Sequence, residues 1–403
     1  MTAAELPHLG IDFTAQPPIP AAGIARANEL MSSGRLFRYG EAGAEELDVA
    51  ELEREFAALL GTNYCIALNS CGASLAVALK AAGVAPGDHV LMNAFTLAPV
   101  PGAVSHVGAD AVFVDIDENY RIDLASLRAA HARTGARWLL LSYMRGHVPD
   151  MTAVTDLCRE LGIDVIEDCA HTMGASWNGQ PTGTFGVAAC FSTQTFKHVN
   201  SGEGGLLITN DEDIAAKAVL LSGSYMLYSQ HGASPSPEVF ERHRLHMPNW
   251  SMRMSALAGA LARSQLDLLD DRAAVWRHLY QRVEAGLQGH RLIRLPKRPT
   301  GESAAPSSFQ FSLVGLDSAT TLSWVQQCAD HGLFVKWFGN EQPVGFTSRF
   351  DHWRYFDEQS LPGTQAVLAG LCDIRLPLSL TDHDCDDIIT VITGTLDQLA
   401  AQS

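Results

Sequence analysis

Positive charge is scarce in this chain. It carries 28 lysines and arginines against 45 aspartates and glutamates, a net charge of −17 over 403 residues. Such a balance repels phosphate backbones and anionic lipid, so neither nucleic acid nor a membrane surface is an expected partner. Long apolar runs are missing as well, since none reaches the ~18 residues that a bilayer span needs. The opening Met1-Thr2-Ala3-Ala4-Glu5-Leu6-Pro7 has no basic segment ahead of an apolar one. No secretory leader is therefore expected, and a cytoplasmic location is. The eight cysteines (Cys65, Cys71, Cys158, Cys169, Cys190, Cys328, Cys372 and Cys385) never form a C-x-x-C pair. Several lie inside apolar runs and read as reduced core thiols, with neither bridges nor a metal site expected. Walker A and G-x-G-x-x-G patterns are absent too, which disfavours a nucleotide-binding loop.

What is present is the composition of a packed globule, 47% apolar and 18% charged. The length calls for two domains. Residues 1–45 are punctuated by proline and glycine and read as an arm plus a short helix. Residues 46–255 alternate short apolar runs with helical stretches. Helix is expected at Val49–Leu60, Ser74–Ala82, Leu124–Arg133 and Thr152–Leu161. Strand is expected at Cys65–Leu68, His89–Met92, Ala111–Ile116, Trp138–Ser142, Val165–Glu167 and Leu206–Thr209. That alternation predicts an α/β fold, a mainly parallel sheet with helices on both faces. Residues 256–403 read as a linking helix, within one helical stretch from Met254 to Gln288, and a small α+β domain. The latter has strands at Phe309–Leu313 and Leu333–Trp337 and helices at Ala319–His331 and Asp382–Ala400.

Ligands of such sheets gather beyond the carboxyl ends of the strands. Ser70, Asp168 and Lys197 all fall there in this reading. Lys197 stands between a β-like run, Cys190-Phe191-Ser192, and the turn Gly202-Glu203-Gly204-Gly205. A lone lysine is ordinarily a solvated surface charge. This one has few charged neighbours, and a desolvated amine is a usable nucleophile and base. Asp168 closes an apolar run 29 positions earlier. A lysine amine with a distant aspartate is the pair that pyridoxal phosphate (PLP) chemistry requires. The amine binds the aldehyde, and the carboxylate keeps the pyridine nitrogen protonated. Asn69-Ser70-Cys71-Gly72-Ala73-Ser74 opens a helix with small residues, so backbone N–H groups could approach a phosphate there. His171 lies three residues past Asp168, and the Ser192 hydroxyl five before Lys197.

The order of these segments resembles the DegT/DnrJ/EryC1/StrS sugar aminotransferases of fold-type I, in a divergent branch. The likeness runs from about Leu36 to the C-terminus. It is carried by Leu52-Glu53-Arg54-Glu55-Phe56-Ala57, Gly87-Asp88, Val114-Asp115-Ile116-Asp117, Ile166-Glu167-Asp168-Cys169-Ala170-His171, Phe191-Ser192 and Gly202-Glu203-Gly204-Gly205. The resemblance implies Lys197 as the Schiff-base lysine, Asp168 as partner of the pyridinium, and His171 as support for the ring face or the phenolic oxygen. It implies Ser192, with Gly72 and Ala73, at the phosphate. It also implies a homodimer with active sites at the subunit interface.

Three places depart from the family pattern. Leu97, after Phe95-Thr96, stands where the family has an aromatic ring, so stacking falls to Leu97 or to Phe95. Ser251-Met252-Arg253, preceded by Asn249, replaces the family's Asn-x-Arg, leaving Ser251 or Asn249 to reach the phosphate from the partner subunit. Ser70-Cys71-Gly72 replaces Ser-Gly-Thr and puts Cys71 at the phosphate turn. Arg145, His198, Tyr225, Tyr228 and Lys336 are candidate substrate contacts. The implied activity moves an amino group from glutamate or glutamine to a keto-sugar or keto-cyclitol by ping-pong turnover. Its rivals are elimination with the same cofactor, for which the family's dehydratases place histidine at the lysine position, and a PLP-binding regulator without turnover.

Overall fold

The computed structural model of the chain describes residues 6–40, 47–344 and 349–402. Within the span expected as an arm, residues 6–40 form an extended stretch and the helix Ala21–Ser33, while 1–5 and 41–45 lie outside the described residues. The central sheet has seven strands: β1 Tyr64–Leu68, β2 His89–Asn93, β3 Asp110–Val114, β4 Trp138–Ser142, β5 Asp164–Asp168, β6 Ala188–Ser192 and β7 Gly205–Thr209. They lie in the order β1-β7-β6-β5-β4-β2-β3, and only β7 runs against the others. The α/β expectation holds.

Side chains alternate across these strands with period two. Leu68, Met92, Leu140, Ile166, Cys190 and Leu207 pack on one side with the helices Cys71–Ala82 and Glu212–Ser222. Ala67, Leu91, Leu141, Val165, Phe191 and Ile208 pack on the other with Asp48–Leu60 and Met151–Leu161. Both faces are buried, which is why the strands read as nearly unbroken apolar runs.

A second, antiparallel sheet of four strands joins Ile293–Arg294, Ser308–Leu313, Leu371–Arg375 and Lys336–Trp337, in that order. Its Phe309, Phe311, Cys372 and Ile374 pack against Leu279 and Val283 of the helix Leu269–Leu287 and against Ile388 and Val391 of Asp382–Gln402. Leu9 and Phe13 of the arm join this core.

Three segments differ from expectation. The first phosphate-side helix begins at Cys71, three residues earlier than Ser74, because Ser70 caps it by accepting from the Ala73 N–H at 3.0 Å. The strand expected from Leu333 is confined to Lys336–Trp337. The long helix expected from Met254 is broken into Ala256–Arg263, a turn at Leu266–Leu268, and Leu269–Leu287. The break falls at Gln265, whose fully buried amide donates to Asn200 O at 2.7 Å and accepts from Asn200 N–H at 3.2 Å. Among the described residues no helix is long and apolar enough to cross a membrane, and all eight thiols are free.

Candidate active site

Asp168, Ser142 and Ser192 end three adjacent parallel strands, and all three share the face covered by the helix that Cys71 opens. Strand register puts Ser142 beside Asp168. The Ser142 hydroxyl donates to Asp168 Oδ2 at 2.6 Å, and the Ala170 N–H donates to Oδ1 at 3.1 Å. Thr96 Oγ1 donates in turn to Ser142 Oγ at 2.8 Å. Burial holds the Asp168 carboxyl above its usual range, and these donors and the Lys197 charge pull it back. A buried carboxylate that faces a cavity without an ion-pair partner calls for a cation there.

Lys197 supplies the opposite wall. Its Nζ donates to His171 Nε2 across 3.0 Å. Desolvation, then the Arg145 charge, lowers the amine to about 8, while Cys71 and Asp168 act the other way. Desolvation and the cations around it hold His171 well below the ordinary imidazole value, so the ring is neutral and accepts. The Lys197 turn is clamped from beneath by Gln265 on Asn200, and Arg272 Nη1 donates to His198 O at 2.8 Å. Replacing Gln265 by leucine is expected to cost about 1–3 kcal/mol, since the half-buried Asn200 backbone groups and buried Arg272 lose a partner. Urea denaturation measures the loss, and unchanged stability would show that the clamp is idle.

Two cavities meet at this lysine. The inner one, about 320 Å³, is lined by Cys71, Gly72, Leu97, Asp168, Ser192 and Lys197, among others. The outer one, about 270 Å³, shares Leu97, His171, Gln194 and Lys197 with it and adds Arg145, Lys336 and Arg375. At the helix start, the N–H groups of Cys71 and Gly72 precede the first intrahelical bond and are open to an anion. That of Ala73 is engaged by Ser70. Leu97 therefore lies at the junction, whereas Phe95 is buried edge-to-face against Phe338 and lines neither cavity.

Other candidates lie elsewhere. His198 is buried against Trp276 and bonded at 2.7 Å to Ala305 O. Tyr228 stacks on Phe240, and Tyr225 is exposed beneath the Arg253 guanidinium. Asn249 and Ser251 are exposed and bond each other, with Asn249 Oδ1 accepting from Ser251 N–H at 2.9 Å and from its hydroxyl at 3.1 Å. None of these five lines either cavity. Residues that the sequence reading missed are Ser142 and Thr96 behind Asp168, Gln265 and Arg272 behind the lysine turn, and Arg375 with arm residues Phe13, Ala15, Gln16 and Pro17 in the outer cavity. A serine ending the strand next to that of Asp168 was a usable signal.

An amine to bind an aldehyde, a buried acid awaiting a cation, and a helix start beside a serine together fit PLP. The fold is that of fold-type I PLP-dependent proteins. Within that class, residues 20–393 match the DegT/DnrJ/EryC1/StrS aminotransferase family, and the chain belongs to it. It is 36% identical over 231 residues to the spore coat polysaccharide biosynthesis protein SpsC of Bacillus subtilis, covering 55% of this chain and 57% of that one. To the L-glutamine:scyllo-inosose aminotransferase of Streptomyces griseus it is 35% identical over 229 residues, covering 55% and 53%. The chain thus spans little more than half the length of these curated relatives. The solved structure of the aminotransferase TlmJ from Streptoalloteichus hindustanus matches 96% of this chain and 98% of its own, with TM-score 0.80 at 22% identity. At that identity the likeness speaks for the fold.

Proposed function

We propose that this protein is a PLP-dependent aminotransferase. It takes an amino group from an amino acid, glutamate or glutamine, and gives it to a keto-sugar, keto-cyclitol or related small ketone in ping-pong turnover. The observation that carries the reading is the Lys197 amine at the junction of the two cavities, with Asp168 in the inner wall. Bound PLP supplies an electron sink for the bonds at the donor's α-carbon. In this reading Asp168 would hold the pyridine nitrogen, Ser192 and the Cys71-Gly72 backbone would hold the phosphate, and Leu97 would cover the ring. Lys197 Nζ, once free, would take the proton from the donor's α-carbon and deliver it two atoms further along, a 1,3-transfer. Neutral His171, at 3.0 Å, orients that amine.

Elimination as the net reaction gains nothing from His198, which is turned to Ala305 and away from both cavities. A second copy of the chain is proposed to bring the exposed Asn249 or Ser251 to the phosphate of this one. Residues 46–255 would then hold the cofactor, residues 256–403 would close the substrate side, and the enzyme would work in the cytoplasm. Amino transfer is supported by family membership and by relatives whose names include a glutamine-dependent aminotransferase. The test is spectral. Purified protein is expected to carry the long-wavelength band of the bound aldehyde, lose it with glutamate or glutamine, and regain it with a keto acceptor. A colourless protein, or a band that no amino acid bleaches, overturns the reading.

A further inference from the structure

The outer cavity holds more positive charge than the protein itself neutralises. One face of the small sheet is polar, because alternation puts Ser308, Gln310, Asp373, Arg375 and Lys336 together; Lys336 pairs in register with Asp373, Gln310 with Asp373, and Ser308 with Arg375. The turn Met144–Gly146, just past the carboxyl end of β4, meets that face through Arg145. Arg145 Nη2 meets Asp373 Oδ2 at 2.8 Å, and Gln310 Nε2 donates to the other oxygen, Oδ1, at 2.7 Å. The carboxylate of Asp373 is thus spent on Arg145 and Gln310. Arg375 lies 3.8 Å over the Phe196 ring, and its Nη1 is buried without a hydrogen-bond partner, as is Nε of Arg145. Lys336 sits at the rim beside Phe338. Desolvation, with Arg145 and Arg375 nearby, lowers its amine to about 8.

The backbone adds a second sign. Arg145 has φ 57 and ψ 21, a left-handed conformation that costs a residue with a side chain on the order of 1 kcal/mol or more. Strain of that kind persists where a side chain must be aimed. His147, two residues on, is fixed by Gln310 Oε1 at 2.8 Å, so both ends of the turn are tied to the same polar face.

We propose, building on the aminotransferase reading, that Arg145, Arg375 and Lys336 form a subsite for an acidic group carried by both substrates, so that the keto acceptor bears a carboxylate or a phosphate. Donor and acceptor occupy this cavity in turn. A neutral acceptor would leave the buried Nη1 of Arg375 unmatched, and an unpaired buried charge is costly. A planar guanidinium recognises either acid group through paired N–H bonds. At about 270 Å³, with one wall made by arm residues Phe13, Ala15, Gln16 and Pro17, the cavity suits a small acid.

Calorimetric titration of the PLP-loaded protein tests this without turnover. The probes are glutarate, glycerol 3-phosphate and the uncharged glutaramide and glycerol. Saturable binding of an acid, weakened by salt, is expected, with the neutral probes at least about tenfold weaker; the tighter acid names the group. Arg375→Gln and the rim variant Lys336→Gln should each weaken that acid about tenfold. Equal binding of acid and neutral probes, no binding of either acid, or wild-type affinity in both variants overturns the subsite. Failure of amino transfer itself would leave these titrations unaltered, so the two readings fall separately.

Discussion

Lys197→Ala is expected to leave the protein folded and to remove turnover, with the rate of donor-dependent bleaching falling by about 10²–10⁴-fold from lost proton transfer alone. Lys197→Arg should do no better, because a guanidinium stays protonated and cannot serve as a base. The half-buried amine is lowered from 10.5 to about 8, first by desolvation and then by Arg145. That raises the free-amine fraction at neutral pH by roughly two orders of magnitude. A base gains its active form as pH rises. The lysine-dependent step should therefore accelerate up to about pH 8 and then level off. Added methylamine should partly restore bleaching in the alanine variant, since it replaces the missing amine and not a missing fold. Stopped-flow absorbance measures all of this. A Lys197→Ala protein that bleaches at the wild-type rate would end the assignment.

Much of this site was legible because its residues are local to strand ends. Asp168 and Ser192 close apolar runs, and Lys197 precedes a glycine turn in which backbone must pass closely. A Cβ on Gly205 would collide with the Ser70 carbonyl. Strand positions followed from two-sided burial, as with Trp138–Ser142, which is buried throughout. What was not legible depends on distant partners. Gln265 breaks a helix because Asn200, 65 residues away, offers it two backbone bonds. Cys372–Arg375 alternates apolar and polar residues over only four positions, too short a pattern to stand out, yet it brings Asp373 and Arg375 to the substrate side. His198 looked like a site residue from its place beside Lys197. Successive side chains point apart there, and the imidazole goes to Ala305.

Asp168→Asn separates what the carboxylate does for the reaction from what it does to the fold. The isosteric amide cannot carry the charge that keeps the ring nitrogen protonated, so bleaching is expected to slow by about 10²–10³-fold, the kinetic equivalent of roughly 3–4 kcal/mol. In the cofactor-free protein the direction reverses. Burial raises the folded carboxyl above 3.8, so the native state binds a proton that the unfolded chain has already released. Stability of the apo form therefore falls as pH rises through the folded value, and ionised Asp168 is a liability at neutral pH. Removing that charge should raise the apo melting temperature at pH 7 and flatten its dependence on pH. Some of the gain is lost because the amide N–H₂ faces the Ser142 hydroxyl, which already accepts from Thr96 and must turn its own proton away. Cofactor should stabilise the wild type more than the variant, as the pyridinium cancels the buried charge only where one exists. Melting curves with and without PLP decide the matter. An Asp168→Asn protein that reacts at the wild-type rate, or whose apo form melts earlier at pH 7 than the wild type, would show that Asp168 is a structural cap and not the cofactor's counter-charge.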